Sequence, residues 1–248
     1  MYYGWVIVAV SFLVLMNYGL FYSYGVFFKP LIAEFGWSRA QTSLAFSLYL
    51  MTYSIAAIPM GWLSDRHGPR LPILLTALLI GGGFAALSQV SSLWMLYLFF
   101  GLVAGMGHGG TWLVPVSTVV RWFVQRRGMV VGIVTAGMGV GTLFFPPLAN
   151  RLIASVGWRE TFLIVGAVAF GYNILGALVL RRAPASLGLA AYGAPAAPVP
   201  AGADPAPAQG YTLAQALRTY GFWSIYASVT LAFASYSLLL VHLVPYVT

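Results

Sequence analysis

The sequence contains no cysteine and very little charge. Of its 248 residues, 60% are hydrophobic and 6% are Asp, Glu, Lys or Arg, whereas a soluble domain carries about 25% charged residues. The absence of cysteine excludes disulfides, thiolate metal sites and a cysteine nucleophile. The shortage of charge excludes water as the main solvent, so the chain is predicted to be a membrane protein rather than a soluble enzyme or binding module.

The charge that is present is mostly basic, yet it does not indicate a nucleic-acid-binding protein. Twelve Lys and Arg residues stand against four Asp and Glu residues, which gives a formal net charge of +8. The basic residues lie at the ends of apolar runs rather than on one helical face. No basic patch is interleaved with aromatic residues, as a nucleic-acid-binding module requires.

Long apolar runs dominate the rest of the chain and match the hydrocarbon thickness of a bilayer. They predict seven membrane spans, at roughly 4–28, 41–63, 71–90, 93–119, 128–149, 160–180 and 221–244. The first run begins at Gly4 and lacks a small-residue cleavage site, which favours a retained helix over a signal peptide. Capping boxes at Ser38–Gln41 and Thr212–Gln215 predict the starts of the second helix and of a short helix before the seventh.

The distribution of Lys and Arg predicts a cytoplasmic N-terminus. With that orientation the inside loops hold eight basic residues and the outside loops hold four, which agrees with the positive-inside rule. The inside residues are Arg66, Arg70, Arg121, Arg126, Arg127, Arg181, Arg182 and Arg218, and the outside residues are Lys29, Arg39, Arg151 and Arg159. We expect a multi-pass protein of a bacterial inner membrane.

A change in composition after Arg182 predicts the domain organisation. Residues 183–210 are rich in Ala and Pro with one charge, Asp204, which is typical of a cytoplasmic linker. We therefore expect a six-helix bundle over 1–182. Residues 211–248 would form a short amphipathic helix and the seventh span, the start of a second bundle. Because the sequence stops as that span ends, we expect the chain to be truncated or a fragment.

The stretch "GWLSDRHGPR" is a polar turn between the second and third predicted spans. Its pattern is G-x-x-x-D-R-x-G-x-R, carried by Gly61, Asp65, Arg66, Gly68 and Arg70. The first glycine allows a neighbouring helix to approach closely, and the second allows a tight turn. The carboxylate can sit at a partner helix's N-terminus, and the arginines can pair with it or with carbonyls at helix ends. Such contacts could form and break in a conformational switch; the alternative is an ordinary positive-inside loop.

A weaker echo of this turn follows the fifth predicted span. The segment "ANRLIASVGWR" repeats its polar positions at Asn150, Arg151, Gly157 and Arg159. A three-helix unit repeated once in the opposite membrane orientation is a known transporter design. The echo therefore favours a 3+3 inverted repeat.

The turn resembles the cytoplasmic signature of the major facilitator superfamily. Two further stretches, "RWFVQRRGMVVGIVTAGMGVG" (121–141) and "YSYGVFFKPLIAEFGWSRAQTS" (22–43), resemble its monocarboxylate porter and oxalate:formate antiporter branch. The resemblance implies an all-α membrane protein: the N-terminal six-helix bundle of a twelve-helix transporter plus transmembrane helix 7. It also adds Arg121 and Arg127 to the predicted switch.

The same resemblance implies a substrate-binding layer. Tyr22 falls where oxalate transporters carry a cavity tyrosine and animal lactate transporters carry a lysine. Trp112 and Met138 fall at two further cavity tyrosines, of the fourth and fifth helices. Because position 138 is Met and position 22 is not Lys, the choice between oxalate and lactate stays open. For the two aromatic residues, packing against lipid or at the interface is the alternative.

His108 lies in the middle of the fourth predicted span, in "GLVAGMGHGGTW". Ionisable residues at membrane depth are costly and usually functional, which favours a proton-sensitive or carboxylate-binding group. A neutral histidine hydrogen-bonded to a neighbouring helix is an equal alternative.

Two small-residue stripes predict close helix packing. They are Gly101, Gly105 and Gly109 on the fourth span, and Gly137 and Gly141 on the fifth.

Together these observations predict a secondary active transporter of small organic anions that works by alternating access. The substrates would be mono- or dicarboxylates such as lactate, pyruvate, formate or oxalate, carried by proton symport or anion exchange. We expect no cofactor, no metal, no catalytic residue and no nucleic acid. The expected partners are the substrate, protons or a counter-anion, the lipid bilayer and the missing C-terminal six-helix bundle. By resemblance, that bundle would supply a cationic arginine on the eighth helix.

Of three alternative functions, one stays open and two are disfavoured. A superfamily transporter for another substrate class, such as drugs or sugars, stays open. A membrane-embedded protease or cytochrome would need paired aspartates, an activated serine or paired histidines at membrane depth. Asp65 is the only aspartate near a predicted span, and only His108 and His242 could ligate haem. A seven-helix receptor would need an outside N-terminus, against the distribution of arginines.

Overall fold

The structure is a computed structural model that describes residues 2–194 and 213–232. It divides into two compact units, Met1–Gly202 and Ala203–Thr248. Within the described ranges the regular structure is helical apart from an isolated bridge between Phe123 and Tyr192. The prediction of an all-α membrane protein is confirmed.

Six segments of the first unit are long and apolar enough to cross a membrane, and we number them spans 1 to 6. Span 1 contains α1 (Tyr3–Leu15) and α2 (Asn17–Phe35), span 2 is α3 (Arg39–His67), and span 3 is α4 (Arg70–Leu87). Span 4 contains α5 (Leu93–Leu96), a π-helical segment (Tyr97–Ala104), α6 (Gly105–His108) and α7 (Leu113–Trp122). Span 5 is α8 (Arg127–Val156), and span 6 is α9 (Trp158–Val179). In the second unit, α10 (Leu213–Ala216) precedes a helix over 220–232.

The first six predicted spans are confirmed; spans 1, 2, 4 and 5 run beyond their predicted ends, whereas spans 3 and 6 end earlier, at Leu87 and Val179. Span 2 continues to His67 and span 5 continues to Val156. The apolar pattern stops earlier because the last turns of these helices carry polar side chains. For the seventh predicted span, at 221–244, the described part is helical as far as residue 232. The remainder of that span and residues 195–212 lie outside the described residues.

Span 1 occupies the centre of the bundle because glycines let its neighbours come close. Gly137 and Gly141 of span 5 lie against the backbone of Phe12 and Met16, where a Cβ atom would overlap backbone oxygens. The glycine stripe of span 4 lies against span 2 in the same manner, as at Gly105. Span 3 packs between spans 4 and 6. Both predicted small-residue stripes are therefore helix contacts.

A buried amide pair joins spans 1 and 6. The Nδ2 of Asn17 donates to Oδ1 of Asn173 at 3.0 Å, and the Nδ2 of Asn173 donates back to Oδ1 of Asn17 at 3.1 Å. The Tyr172 hydroxyl donates to the same Asn17 oxygen at 2.6 Å. Both amides are fully buried, so the reciprocal bonds satisfy groups that would otherwise be left without water.

The segment after span 6 packs back onto the bundle. The backbone N–H of Tyr192 donates to the carbonyl of Trp122 at 2.9 Å, and the N–H of Val124 donates to the carbonyl of Tyr192 at 2.9 Å. The Tyr2 hydroxyl donates to the carbonyls of Trp122 and Ala190, each at 3.0 Å. The beginning of the predicted linker 183–210 is therefore docked against spans 1 and 4 as far as Ala194. The division into bundle, linker and seventh span stays a prediction.

Candidate functional site

The predicted switch residues lie at one end of the bundle, where spans 2, 4 and 6 end. Asp65, at the end of span 2, pairs with Arg121, at the end of span 4, with 2.8 Å between Oδ1 and Nη2. The aspartate side chain is 73% exposed, and exposed ion pairs contribute only about 0–1 kcal/mol to stability. This pair therefore joins the ends of two spans while contributing little to the stability of the fold.

The other charged residues of the predicted switch have separate partners. Arg70 donates from Nε to the carbonyl of Leu180 at 3.0 Å and from Nη2 to the carbonyl of Leu178 at 3.1 Å. These carbonyls end span 6, where helical backbone acceptors lack partners within the helix. Arg66 lies over the Trp62 ring at 5.4 Å. Arg127 donates from Nε to the carbonyl of Phe123 at 2.7 Å.

The two glycines of the turn have the geometry that the sequence predicts. Gly61 lies against the Leu113 side chain, so that α7 can approach α3. Gly68 ends α3 with a φ of 83°, a left-handed conformation that favours glycine. Its N–H donates to the carbonyl of Ser64 at 2.9 Å, and α4 begins two residues later at Arg70.

A second charged cluster, which sequence reasoning missed, lies at the opposite end of the bundle. Glu34 pairs with Arg159 at 2.7 Å and accepts a hydrogen bond from Nε1 of Trp158 at 2.7 Å. Arg159 also donates to the carbonyl of Val90 at 3.3 Å and lies over the Trp158 ring at 4.1 Å. The cluster joins the ends of spans 1 and 3 to the start of span 6. The sequence signal for this cluster was "GWR", the end of the echo segment, because it contains both Trp158 and Arg159.

Span 4 is not a uniform helix. It is π-helical over Tyr97–Ala104, and α6 ends at His108 before α7 begins at Leu113. The N–H and the hydroxyl of Thr111 both donate to the carbonyl of His108, at 3.0 and 2.7 Å. The glycines around His108 lower the helix propensity at this position. Discontinuous helices are the elements that form substrate sites near the midplane of many transporters.

An aromatic cluster surrounds the end of α6, close to the middle of spans 1, 2 and 4. The His108 ring lies 4.5 Å from Tyr18, 5.2 Å from Tyr53, 5.7 Å from Tyr49 and 5.8 Å from Phe21, measured between ring centroids. His108 is 1% exposed. Its two ring nitrogens are buried and have no hydrogen-bond partner among the described residues. The predicted bond from His108 to a neighbouring helix is therefore not seen in the described part of the chain.

The rim of this aromatic cluster is open. The hydroxyls of Tyr18 and Tyr53 lie 2.8 Å apart and form a hydrogen bond. The Trp112 ring lies 6.2 Å from the Tyr18 ring and is 38% exposed. Tyr22 is 46% exposed and packs its ring edge-on against Phe21, 4.7 Å away. Two predicted substrate residues thus stand at an exposed edge, with the third, His108, beneath them.

Met138 is the predicted substrate residue that the structure does not join to this cluster. It lies on α8, and its side chain is half-buried. Its neighbour Gly137 packs on α1 at Phe12, and Gly141, about one turn later, packs on Met16 and Gly19. A substrate role for Met138 stays a prediction from the resemblance.

Sequence reasoning missed four of the rings around His108, although a spacing signal was present. Tyr18 and Tyr22, Tyr49 and Tyr53, and His108 and Trp112 are each four residues apart. Residues at that spacing lie on the same face of a helix. Three such pairs on three spans indicate three ring-bearing faces that could meet.

Comparison with known proteins identifies the family. Residues 10–248 match the family model described as Major Facilitator Superfamily. The chain belongs to the major facilitator superfamily. It is 34% identical to monocarboxylate transporter 11 of Homo sapiens over 180 residues, which covers 72% of this chain and 38% of that protein. It is 30% identical to human monocarboxylate transporter 7 over 188 residues, which covers 74% of this chain and 36% of that protein.

A bacterial relative is named for an organic anion other than a monocarboxylate. The chain is 31% identical over 157 residues to a probable sulfoacetate transporter of Cupriavidus necator, covering 62% of this chain and 36% of that protein. The chain spans less than half the length of these curated relatives. The resemblance to the monocarboxylate porter branch is confirmed, and the six spans are consistent with the N-terminal half of a superfamily transporter. The chain thus belongs to a superfamily of multi-pass membrane transporters, a class of protein that is generally not an enzyme.

Proposed function

We propose that the protein is a secondary active transporter of small organic anions, mono- or dicarboxylates such as lactate, pyruvate, formate or oxalate. The observation that carries the proposal is the open aromatic cluster at the middle of spans 1, 2 and 4. Its rim offers tyrosine hydroxyls and an indole N–H, which are donors that an anion's oxygens can accept from. The names of the relatives, which refer to monocarboxylates and sulfoacetate, support an organic anion.

The charge around the cluster also favours an anion. Two of the chain's four acidic residues, Glu34 and Asp65, are paired with arginines at opposite ends of the bundle. Glu160 is exposed at the start of span 6, and Asp204 lies outside the described residues. A cationic drug would therefore meet no carboxylate of residues 2–194 or 213–232 at the cluster, and an unpaired charge at membrane depth is costly.

Alternating access would use the Asp65 end of the bundle. The Asp65–Arg121 pair and the contacts of Arg70 join spans 2, 3, 4 and 6 there. Alternating access is largely a rocking of one bundle against another around a fixed site. We place this end in the cytoplasm of a bacterium, with the N-terminus on the same side. A C-terminal six-helix bundle of the same protein would complete the cavity.

Counterflow in liposomes tests the proposal. The full-length protein that contains this chain is reconstituted, and formate, oxalate, lactate and pyruvate compete for the uptake of labelled lactate or oxalate. Glucose and a lipophilic organic cation represent the sugar and drug classes. We expect at least one carboxylate to compete and neither other compound to do so. Competition only by glucose or by the cation would replace the proposed substrate class.

A further inference from the structure

Two arginines from different spans meet at the last carbonyls of span 6. Arg181 donates from Nη1 to the carbonyl of Leu178 at 2.8 Å and to that of Leu180 at 3.4 Å. The same two carbonyls accept hydrogen bonds from Arg70, at the start of span 3. Each guanidinium carries five N–H groups, and these bonds leave several of them unused. Because Arg70 is exposed and Arg181 is half-buried, the remaining donors are concentrated at one place at the edge of the bundle.

The positive charge at this place is only partly balanced. Arg182 adds a third cation, because its Cβ atom lies beside Gly68, in the turn before span 3. The C-terminal end of a helix carries about half a negative charge, which is less than the charge of three arginines. Among the described acidic residues, Asp65 is paired with an arginine of span 4, and Glu34 and Glu160 lie at the opposite end of the bundle. Adjacent like charges repel, so this place favours an anion from outside the described part of the chain.

An apolar groove between spans 3 and 6 begins at these arginines. Its volume is about 340 Å³, and it is lined by Arg70 and by the apolar residues Leu71, Leu74, Ile174, Ala177 and Leu178. The lining extends along about one turn of each span, which corresponds to about 6 Å at the rise of an α-helix. Leu178 is 65% exposed, so the groove is open on the outer surface of the bundle. An occupant that fits both features has an anionic group at the membrane surface and a hydrocarbon chain below it.

We propose that this groove binds one anionic glycerophospholipid of the cytoplasmic leaflet, such as phosphatidylglycerol. The phosphate lies between Arg70 and Arg181, because hydrogen bonds from guanidinium groups to phosphate are charge-assisted and can be bidentate. The upper part of an acyl chain lies in the groove against Leu74 and Ile174. Basic pockets between membrane helices on the cytoplasmic side are known to bind anionic headgroups. The inference goes beyond the proposed function, because it concerns a different surface and holds whichever substrate is carried.

Other occupants satisfy only one of the two features. Inorganic phosphate would pair with the arginines and leave the apolar groove uncovered. Phosphatidylethanolamine would fill the groove, but its ammonium group would add another positive charge. A second copy of the chain, docked by the same face in the same membrane orientation, would bring its own arginines against these, because an isologous contact pairs one surface with itself.

Native mass spectrometry of the full-length protein in detergent tests the inference. Phosphatidylglycerol, phosphatidylethanolamine and inorganic phosphate are added separately, and the dissociation constant of the first bound lipid is measured. We expect phosphatidylglycerol to bind about tenfold more tightly than phosphatidylethanolamine, and an equal concentration of phosphate not to displace it. Arg181→Gln should weaken the binding of phosphatidylglycerol by about five- to tenfold, the loss of one arginine contact. Leu74→Trp should also weaken it, because the indole fills the groove.

Arg126→Gln and Leu98→Trp are the matched controls. Arg126 is an exposed arginine at the same end of the bundle, between spans 4 and 5, and Leu98 is an exposed leucine of span 4. Both variants should bind phosphatidylglycerol as the wild type does. If Arg181→Gln does not fold, Leu74→Trp and Leu98→Trp decide, and equal binding by these two overturns the inference.

Three further results would overturn the inference, and each names a different occupant. Equal affinity for the two lipids, or equal losses in Arg126→Gln and Arg181→Gln, would mean that lipid covers this surface without a specific site. Displacement of phosphatidylglycerol by an equal concentration of phosphate would leave a site for free anions only. A dimer that retains no phosphatidylglycerol would assign the groove to a second copy of the protein.

Discussion

Asp65 and Arg121 form an ion pair of 2.8 Å between the ends of spans 2 and 4. The two residues belong to the two sequence stretches that most resemble the superfamily, and the structure shows that these stretches are in contact. Because Arg70 binds carbonyls at the end of span 6 instead, the aspartate has one arginine partner among the described residues. This relationship makes the role of Asp65 testable by charge exchange.

We expect Asp65→Asn in the full-length protein to slow transport by about tenfold, which corresponds to about 1.4 kcal/mol in the rate-limiting barrier. The substrate affinity should change little, because the residue lies at the end of the bundle and far along the span from the aromatic cluster. The exchange Asp65→Arg with Arg121→Asp should recover part of the rate. A large loss of affinity with a normal maximal rate would assign Asp65 to substrate binding instead.

The amide pair of spans 1 and 6 gives a prediction about stability. Asn173→Leu removes both hydrogen bonds between the buried Asn17 and Asn173 amides, which should destabilise the bundle by about 1–3 kcal/mol. Replacing both residues by leucine together with Tyr172→Phe should cost less than this single change, because the Tyr172 hydroxyl that donates to Asn17 is then removed as well and no side chain of this group is left unpaired. Thermal unfolding of the purified protein in detergent measures both effects. Ser54→Ala is the control, since that hydroxyl is exposed and bonds within its own helix; equal losses in all variants would contradict the prediction.

The topology can be tested because this chain contains no cysteine. Single cysteines at His67 and Gln125, both exposed, should react with a membrane-impermeant reagent only from the cytoplasmic side. A cysteine at Ser38, exposed at the start of span 2, should react only from outside. Any cysteines in the rest of the full-length protein are first replaced. Labelling of positions 38 and 67 from the same side would exclude the proposed arrangement of spans.

The spans and the polar turn could be predicted from the sequence because both are local signals. An apolar run of sufficient length predicts a membrane helix by itself, and Gly68 predicts a tight turn from its conformational freedom. The pairing of Asp65 with a particular arginine was not predictable, since the sequence analysis assigns eight arginines to the same side of the membrane as Asp65. The structure selects Arg121 because spans 2 and 4 pack together along their glycine contacts.

The aromatic cluster was only partly predictable. The resemblance drew attention to Tyr22 and Trp112, which lie on its exposed rim. Tyr18 and Tyr53 were missed because their contact depends on how spans 1 and 2 face each other. Their separation of 35 residues along the chain has no local signature beyond the spacing of four within each span. The break after His108 was also missed, since a hydropathy pattern is the same for a continuous and a discontinuous helix.

The most direct test of the account measures how Tyr22 and Trp112 influence the choice of anion. In counterflow with formate, oxalate, lactate and pyruvate, Tyr22→Phe should lower the affinity for the preferred anion by about ten- to a hundredfold, the cost of a hydrogen bond to a charged group. Trp112→Ala should admit larger monocarboxylates. Leu98→Ala, on the exposed side of the π-helical segment, should leave the order of competition unchanged. If Tyr22→Phe and Trp112→Ala also leave that order unchanged, the aromatic cluster is packing and does not select the substrate.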